Sequence, residues 1–175
     1  MPFPAFDMRG LLPPFVGPNP ATNIRSPYRA TMVELVTQLA TTPERRQLLR
    51  NLIAYRALLA TDGYVNGIQF IDGSFVENIE RNENRAPNDI DIFSLLETPQ
   101  KYANDMILWF NGGGMLFWNN EVADRNRNKQ RFALDTYALL FQQLTPMRLI
   151  EGVIYWYGLF SHQRQTFAWK GFLAL

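Results

Sequence analysis

The sequence predicts one domain of mixed helix and strand, of the α+β or α/β class. Serine–proline and threonine–proline pairs mark four helix starts, and short apolar runs typical of strands lie between and after those helices. The chain has 175 residues, of which 47% are hydrophobic and 14% aromatic, so it is long enough to bury one sizeable core. A small sheet packed by about four helices is the expected architecture.

Each predicted helix begins with a hydroxyl side chain that caps free backbone N–H groups and a proline suited to the first helical turn. The four pairs are Ser26-Pro27, Thr42-Pro43, Thr98-Pro99 and Thr145-Pro146. The predicted helices cover residues 27–39, 43–61, 99–110 and 146–160. Glycines end two of them, because Gly63 follows the second helix and Gly112 begins a run of three glycines after the third.

Four short segments are predicted strands because they are rich in apolar, β-branched or aromatic residues. They cover residues 67–72, 89–95, 131–140 and 170–175. Between the second and third of these strands, residues 111–130 are expected to form a long loop. Long loops inside a compact domain are often functional.

The first 25 residues contain six prolines, a density that forbids helix and favours an extended arm. The arm either reaches a partner or lies on the domain formed by residues 26–175. An ordered wrap over the core is favoured because the arm carries apolar side chains that need burial. These are Phe3, Phe6, Leu11, Leu12 and Phe15.

Composition excludes several classes of site. There is no cysteine, so disulfides, thiolate zinc sites and cysteine nucleophiles are ruled out, and a single histidine, His162, cannot build a multi-histidine metal centre. The net charge of +1 gives no general attraction to nucleic acid or anionic membranes. The sequence has no run suited to span a bilayer and no secretory pattern at its start, so a cytoplasmic protein without membrane insertion is expected.

Two aspartates in an apolar run, Asp89 and Asp91, are the most informative residues of the chain. Side chains in a strand alternate between faces, so both carboxylates project from the same face. Two buried anions on one face repel each other unless a cation stands between them, and a hard divalent ion such as Mg²⁺ prefers oxygen ligands. The pair therefore predicts a metal site.

Two further features complete the pattern. Gly73 and Ser74 follow the predicted strand 67–72, and a corner of this kind offers backbone N–H groups and a hydroxyl that suit phosphate oxygens. Asp135 is a lone acid in the later apolar strand 131–140 and is the candidate third carboxylate. The alternative interpretation is that Asp135 is an acid at a sheet edge that accepts hydrogen bonds from the backbone.

In this order, Gly73-Ser74, Asp89-Ile90-Asp91 and Asp135 resemble the signature of the DNA polymerase beta-type nucleotidyltransferase superfamily. More narrowly, the chain is similar to a poorly characterised family of small bacterial and phage nucleotidyltransferase-like proteins. The similarity spans residue 26 onward and rests on segments 26–28, 72–76, 87–91, 155–164 and 170–171. The spacer between Ser74 and Asp89 is longer than the pattern leads us to expect, with a polar insert at 78–85.

The resemblance implies a polymerase-beta-like α+β fold with a small mixed sheet, and two-metal phosphoryl transfer from a nucleoside triphosphate. Asp89, Asp91 and Asp135 would be the catalytic residues and the ligands of Mg²⁺ or Mn²⁺. Gly73 and Ser74 would hold the β- and γ-phosphates. Lys170 is a candidate phosphate contact. The alternative, that Lys170 is an ordinary solvated lysine, has equal weight.

Three other groups have a functional and a structural interpretation. The cations Arg125, Arg127, Lys129 and Arg131 suit a polynucleotide backbone, but a solvated loop is favoured. The aromatic run 155–157 with Phe160 suits base stacking, but core packing is favoured for Trp156 and Phe160. His162 suits a nucleotide contact, but a histidine that binds helix-terminal carbonyls is favoured.

The resemblance leaves the acceptor open among a nucleotide, an RNA end and a protein or small-molecule hydroxyl. It is compatible with a phage-defence signal synthase or a toxin of a toxin–antitoxin pair. The alternative is a catalytically inactive nucleotide-binding or regulatory module on the same fold. A homo-oligomer or a partner protein encoded in the same operon is also left open.

Overall fold

The computed structural model describes residues 3–21 and 24–175 and shows one mixed five-stranded sheet with helices around it. The strand order across the sheet is β1-β5-β2-β3-β4. β2 is antiparallel to both β5 and β3, whereas β1 is parallel to β5 and β4 is parallel to β3. The strands are β1 Tyr28–Arg29, β2 Gly67–Asp72, β3 Ile90–Leu96, β4 Leu134–Leu140 and β5 Leu173–Ala174. The α+β expectation with a mixed sheet is therefore confirmed.

Eight α-helices lie in the described part of the chain, twice the number expected. They are α1 Met32–Leu39, α2 Pro43–Thr61, α3 Ile79–Glu83, α4 Gln100–Ala103, α5 Met106–Asn111, α6 Gly114–Phe117, α7 Arg125–Phe132 and α8 Pro146–Phe160. Three other helical turns join them: 3-10 turns Ser74–Val76 and Phe141–Gln143, and the π-helical segment Trp118–Val122. None of these helices is long and apolar enough to cross a membrane.

The two longest helices match their predicted ranges because local capping determines their starts. The hydroxyl of Thr42 accepts a hydrogen bond from the backbone N–H of Arg45, and that of Thr145 accepts one from Arg148. Gly63, with φ of +94°, follows the end of α2 as expected for a helix-terminal glycine.

The predicted helix 27–39 is wrong at its start. Tyr28–Arg29 forms β1 and pairs with β5 at the far end of the chain, so the Ser26 hydroxyl accepts a hydrogen bond from the Phe172 N–H instead of capping a helix. α1 begins at Met32, where the Thr31 and Glu34 side chains form a reciprocal capping box.

The predicted helix 99–110 and the predicted loop 111–130 are also wrong. The helix is divided into α4 and α5, because the Asp105 carboxylate accepts a hydrogen bond from the Leu108 N–H and starts a new helix. The predicted loop is mostly helical and contains α6, the π-helical segment and α7. As a result α7 covers the first residues of the predicted strand 131–140, which begins at Leu134.

The two faces of the sheet are covered differently. One face packs on the main core, with fully buried Leu52 and Tyr55 of α2 against strand residues such as Ile71 and Ile92. The other face carries a smaller aromatic cluster of Phe70, Phe93, Tyr137, Trp156, Phe160 and Phe172. α8 supplies Trp156 and Phe160 to this cluster, which confirms their core packing. The acidic residues of the strands lie on this second face, at one end.

The proline-rich arm packs on the domain where it is described. Phe3, Leu11 and Leu12 are buried, and Phe6 packs partly buried against the core. The arm also forms an isolated antiparallel bridge between Leu11 and Glu77. The expected wrap is therefore confirmed for these residues.

A buried arginine fixes the turn that follows β2. Arg45 of α2 is 1% exposed and forms an ion pair with Glu80. Its guanidinium also donates to the backbone carbonyls of Phe75 at 2.7 Å and Glu77 at 2.5 Å. Since buried carbonyls without partners are costly, this one side chain stabilises the main chain beyond Gly73.

Replacement of this arginine tests its role. We expect Arg45→Met to lower the free energy of unfolding by about 3 kcal/mol, because two buried carbonyls and the Glu80 carboxylate lose their partner. Urea denaturation measures the loss. Arg46→Met is the matched control, since Arg46 is exposed and its side chain donates a hydrogen bond to the Ala40 carbonyl. Equal losses in the two variants would contradict this role.

Candidate active site

Three neighbouring strands bring their acidic residues to one end of the sheet. Asp72 of β2 is the register partner of Asp91 in β3, which in turn is the partner of Asp135 in β4. Register partners project from the same face of a sheet, and Asp89 lies two residues before Asp91 and shares that face. The structure therefore brings together the three predicted acids and adds Asp72 beside them.

Two cations from α7 neutralise this cluster. The Lys129 ammonium lies 2.7 Å from Asp89 Oδ2 and 3.4 Å from Asp135 Oδ2. The Arg125 guanidinium forms a two-point ion pair with the carboxylate of Asp135 and lies over the Tyr137 ring, 4.9 Å from its centre. Burial opposes ionisation of Asp135, but Arg125 and Lys129 hold the pKa of that carboxyl below its ordinary value.

Asp91 differs from its neighbours because its carboxylate has no direct partner. No hydrogen bond or ion pair to it is found within residues 3–21 and 24–175. Burial, and then the charges of Asp89 and Asp135, raises the pKa of Asp91 to about 6. Arg164 and Lys170 act on this carboxylate only through space and partly oppose the shift, so the centre of the site holds a carboxylate with no direct partner.

Gly73 is required directly above Asp91. Its φ of +79° lies in the region that favours glycine, and a Cβ at this position would clash with Asp91 Oδ2. The backbone thus passes against the carboxylate, and Ser74 begins the 3-10 turn that follows. This close approach places the glycine–serine corner beside the acidic cluster, as the sequence predicts.

A second, buried ionic cluster lies beneath this corner. The Lys170 ammonium is 2.8 Å from Asp72 Oδ1 and 2.9 Å from Glu77 Oε1, and it is near the Gly73 carbonyl at 3.4 Å. Burial disfavours the ammonium, yet the two carboxylates raise the pKa of Lys170. Burial raises the pKa of Asp72 to about 7 despite this lysine. The buried Asp72 carboxyl therefore gives up its proton at a higher pH than an ordinary aspartate.

The Lys170 ammonium is thus held in ion pairs under the corner, and direct contact with phosphate stays a prediction. His162 is exposed at the end of α8, where its Nδ1 is 2.9 Å from the Gly158 carbonyl. The favoured interpretation of His162, contact with a helix-terminal carbonyl, is therefore confirmed.

An open cavity of about 620 Å³ lies over these groups. Asp72, Glu77, Asp89 and Asp91 contribute acids to its wall, and Arg85, Lys129, Arg164 and Lys170 contribute cations. Tyr137 and Trp156 add aromatic surface beside the acids, and the exposed Phe167 lies at the cavity as well. Asp135 lies outside the cavity wall, because its carboxylate faces Arg125 and Lys129.

The donor set suits a hard divalent cation in part. Carboxylate oxygens are the ligands that Mg²⁺ and Mn²⁺ prefer, and the unpaired Asp91 carboxylate beneath Gly73 offers such an oxygen. In the described chain, however, no group of three or more acidic, histidine or cysteine side chains is arranged to hold a metal ion. The metal site stays a prediction.

Sequence reasoning missed four of the groups that shape this site. Asp72 and Glu77 enter the sequence prediction only within a corner and a spacer, although an acid at the end of an apolar strand is itself unusual. The predicted solvated loop is wrong in that Arg125 and Lys129 lie on α7; both side chains are half exposed, but they form ion pairs with Asp135 and Asp89. Their spacing of four on a short helix was the signal that places both on one side.

The raised pKa of Asp91 predicts a pH-dependent stability. The unfolded chain loses this proton near pH 3.8 and the folded chain near pH 6, so folding is progressively disfavoured as the pH rises through this window. We expect Asp91→Asn to gain stability relative to the natural chain on going from pH 4 to pH 8, by on the order of 2 kcal/mol. Urea denaturation in EDTA measures the difference, and a pH-independent difference would contradict the prediction.

Comparisons with known proteins identify the family to which the chain belongs. No curated protein and no solved structure matches the chain. The sequence model of one family, described as a family of unknown function (DUF6932), matches residues 4–175. That match includes the acidic strands, the glycine–serine corner, α7 and most of the proline-rich arm. The chain therefore belongs to the family of unknown function DUF6932.

Proposed function

We propose that this protein is a metal-dependent nucleotidyltransferase, which transfers a nucleotidyl group from a nucleoside triphosphate to an acceptor hydroxyl. The observation that carries the proposal is the unpaired carboxylate of Asp91, with Asp89 and Asp135 on the same face of the sheet and Gly73 against it. A cavity of about 620 Å³ above this group is of the size found for small-molecule sites.

In the proposed reaction the acceptor oxygen forms a bond to the α-phosphorus as the bond to the leaving pyrophosphate breaks. Bound Mg²⁺ or Mn²⁺ supplies charge neutralisation for the phosphates and a lowered pKa for the attacking hydroxyl. Asp89 and Asp91 are the residues that would hold the ion, and Asp135 would anchor α7 beside them through Arg125. The Ser74 hydroxyl and the backbone N–H groups at Gly73 are the proposed donors to the β- and γ-phosphates.

Asp135 is not free to accept the hydroxyl proton, which is therefore released to water in the open cavity. The pKa of Asp135 is lowered, and its two oxygens are already bound by Arg125. We therefore assign Asp135 to positioning the site, which changes the role that the resemblance implied for it.

One observation favours the alternative, a catalytically inactive nucleotide-binding or regulatory module. Lys129 and Arg125 neutralise Asp89 and Asp135 within the protein, so two of the three acids have partners without any metal ion. On this hypothesis the same cavity binds a nucleotide and the cations stay in place. Metal-independent nucleotide binding without transfer would support this module.

The acceptor and the biological partner are open parts of the proposal. The proposal leaves the acceptor open among a nucleotide, an RNA end and a protein hydroxyl, and it is compatible with a phage-defence signal synthase or a toxin. α8 exposes large apolar side chains, which supports a second copy or an operon-encoded partner; these include Ile150, Ile154 and Tyr155. A cytoplasmic location belongs to the same proposal.

The acidic pair provides the direct test. The full chain is incubated with each α-labelled nucleoside triphosphate, Mg²⁺ or Mn²⁺, and RNA, nucleotide or protein acceptors. We expect labelled product from the natural chain and none from Asp89→Asn or Asp91→Asn, because each variant loses a carboxylate ligand. Glu44→Gln, which changes an exposed acid on α2, is the control and keeps full transfer.

Two results would reject the proposal. Transfer by the Asp89→Asn, Asp91→Asn double variant would show that these acids do not carry the reaction. Absence of transfer with every nucleotide and acceptor, together with nucleotide binding that ignores the metal, would favour the inactive module.

A further inference from the structure

The Lys129 side chain occupies the position between two of the acids. Its ammonium contacts Asp89 and Asp135 at once, at 2.7 and 3.4 Å. The same side chain is 49% exposed and lines the cavity. A lysine is a compact charge on a flexible four-carbon stem, so it can leave its carboxylates and turn into the cavity without disturbing the core.

A divalent ion and this ammonium compete for the same oxygens. An ion that binds Asp89 would lie within a few ångströms of the Lys129 charge, and like charges at that separation repel strongly. Arg125 is less able to move, because it holds both oxygens of Asp135 and rests on the Tyr137 ring. Lys129 is therefore the cation that has to move when a metal ion arrives.

An anion in the cavity offers the displaced ammonium a new partner. Polyphosphate oxygens bound beside Gly73 and Ser74 would lie in the same cavity that Lys129 already lines. A charge-assisted hydrogen bond to phosphate would then replace the one to Asp89. The exchange keeps every charge paired: the ion on the acids, and the lysine on the phosphates.

We propose that Lys129 is an exchangeable cation that neutralises Asp89 and Asp135 in the free protein and binds the phosphates of an entering metal–polyphosphate complex. The choice of ligand rests on the proposed function. It follows that the metal alone binds weakly and that metal and polyphosphate strengthen each other's binding. Lys129 thereby joins the site as a polyphosphate-binding residue.

The architecture of α7 supplies a matched control. Arg125 and Lys129 are four residues apart and face β4, whereas Arg127 and Arg131 both form ion pairs with Glu121. Arg127→Met removes a cation from the same helix, but one that pairs with Glu121 and not with the aspartates. Arg131 continues to pair Glu121 in that variant.

The experiment measures two affinities on the full chain after EDTA treatment. Electron paramagnetic resonance of free Mn²⁺ gives the affinity for the metal alone, and calorimetry gives the affinity for inorganic tripolyphosphate in saturating Mn²⁺. We expect Lys129→Met to bind Mn²⁺ alone at least about tenfold more tightly and the tripolyphosphate complex at least about tenfold more weakly. Lys129→Arg should keep weak Mn²⁺ binding, and Arg127→Met should match the natural chain in both.

The opposite signs distinguish exchange from a structural role. If Lys129 only stabilised the fold, its loss would lower both affinities together or change neither, and either result would overturn the inference. No Mn²⁺ binding by any variant would overturn it as well. If Lys129→Met shows the two opposite affinity changes but the natural chain transfers no nucleotide, only the proposed reaction is rejected. If the natural chain transfers a nucleotide but Lys129→Met shows neither affinity change, only the exchange is rejected.

Discussion

Buried acidic side chains need cations, and this requirement organises one end of the sheet. Three adjacent strands bring aspartates to the same face, where repulsion between them would oppose folding. Cations from distant segments compensate them: Lys170 reaches Asp72, Arg125 reaches Asp135 and Lys129 reaches Asp89. α7 and the segment before β5 are therefore attached to the sheet by charge as well as by apolar packing.

The two ionic clusters differ in burial, and burial separates their roles. Lys170 is 1% exposed, and its partners Asp72 and Glu77 are also buried, so this cluster supports the glycine corner from below. Lys129 is half exposed on the cavity wall, so its ion pairs can be exchanged for those of a ligand. Between the two clusters lies Asp91, whose charge no direct partner neutralises. A site built in this way combines a fixed backbone with one open carboxylate.

The aromatic half of the same sheet face packs directly beside the acidic end. Trp156 of α8 stacks on Phe93, with ring centres 4.8 Å apart, and contacts Tyr137 at 4.3 Å. Phe93 and Tyr137 each follow an acid by two positions in their strands, so the acids continue the same rows. Packing of the aromatic rows thus fixes the strands from which Asp91 and Asp135 project.

Local sequence alone determined the capped helices α2 and α8, the strand 67–72 and the shared face of Asp89 and Asp91, because hydroxyl–proline caps and a period of two act between near neighbours. Tertiary structure alone decided that Tyr28 begins a strand and that Lys129 and Arg125 face the acids. Strand pairing and the ion pair of Lys129 with Asp89 join residues far apart in the chain, and local patterns carry no record of those partners. Asp135 shows both levels: its apolar setting marks an unusual acid, but only the fold reveals which cations neutralise it.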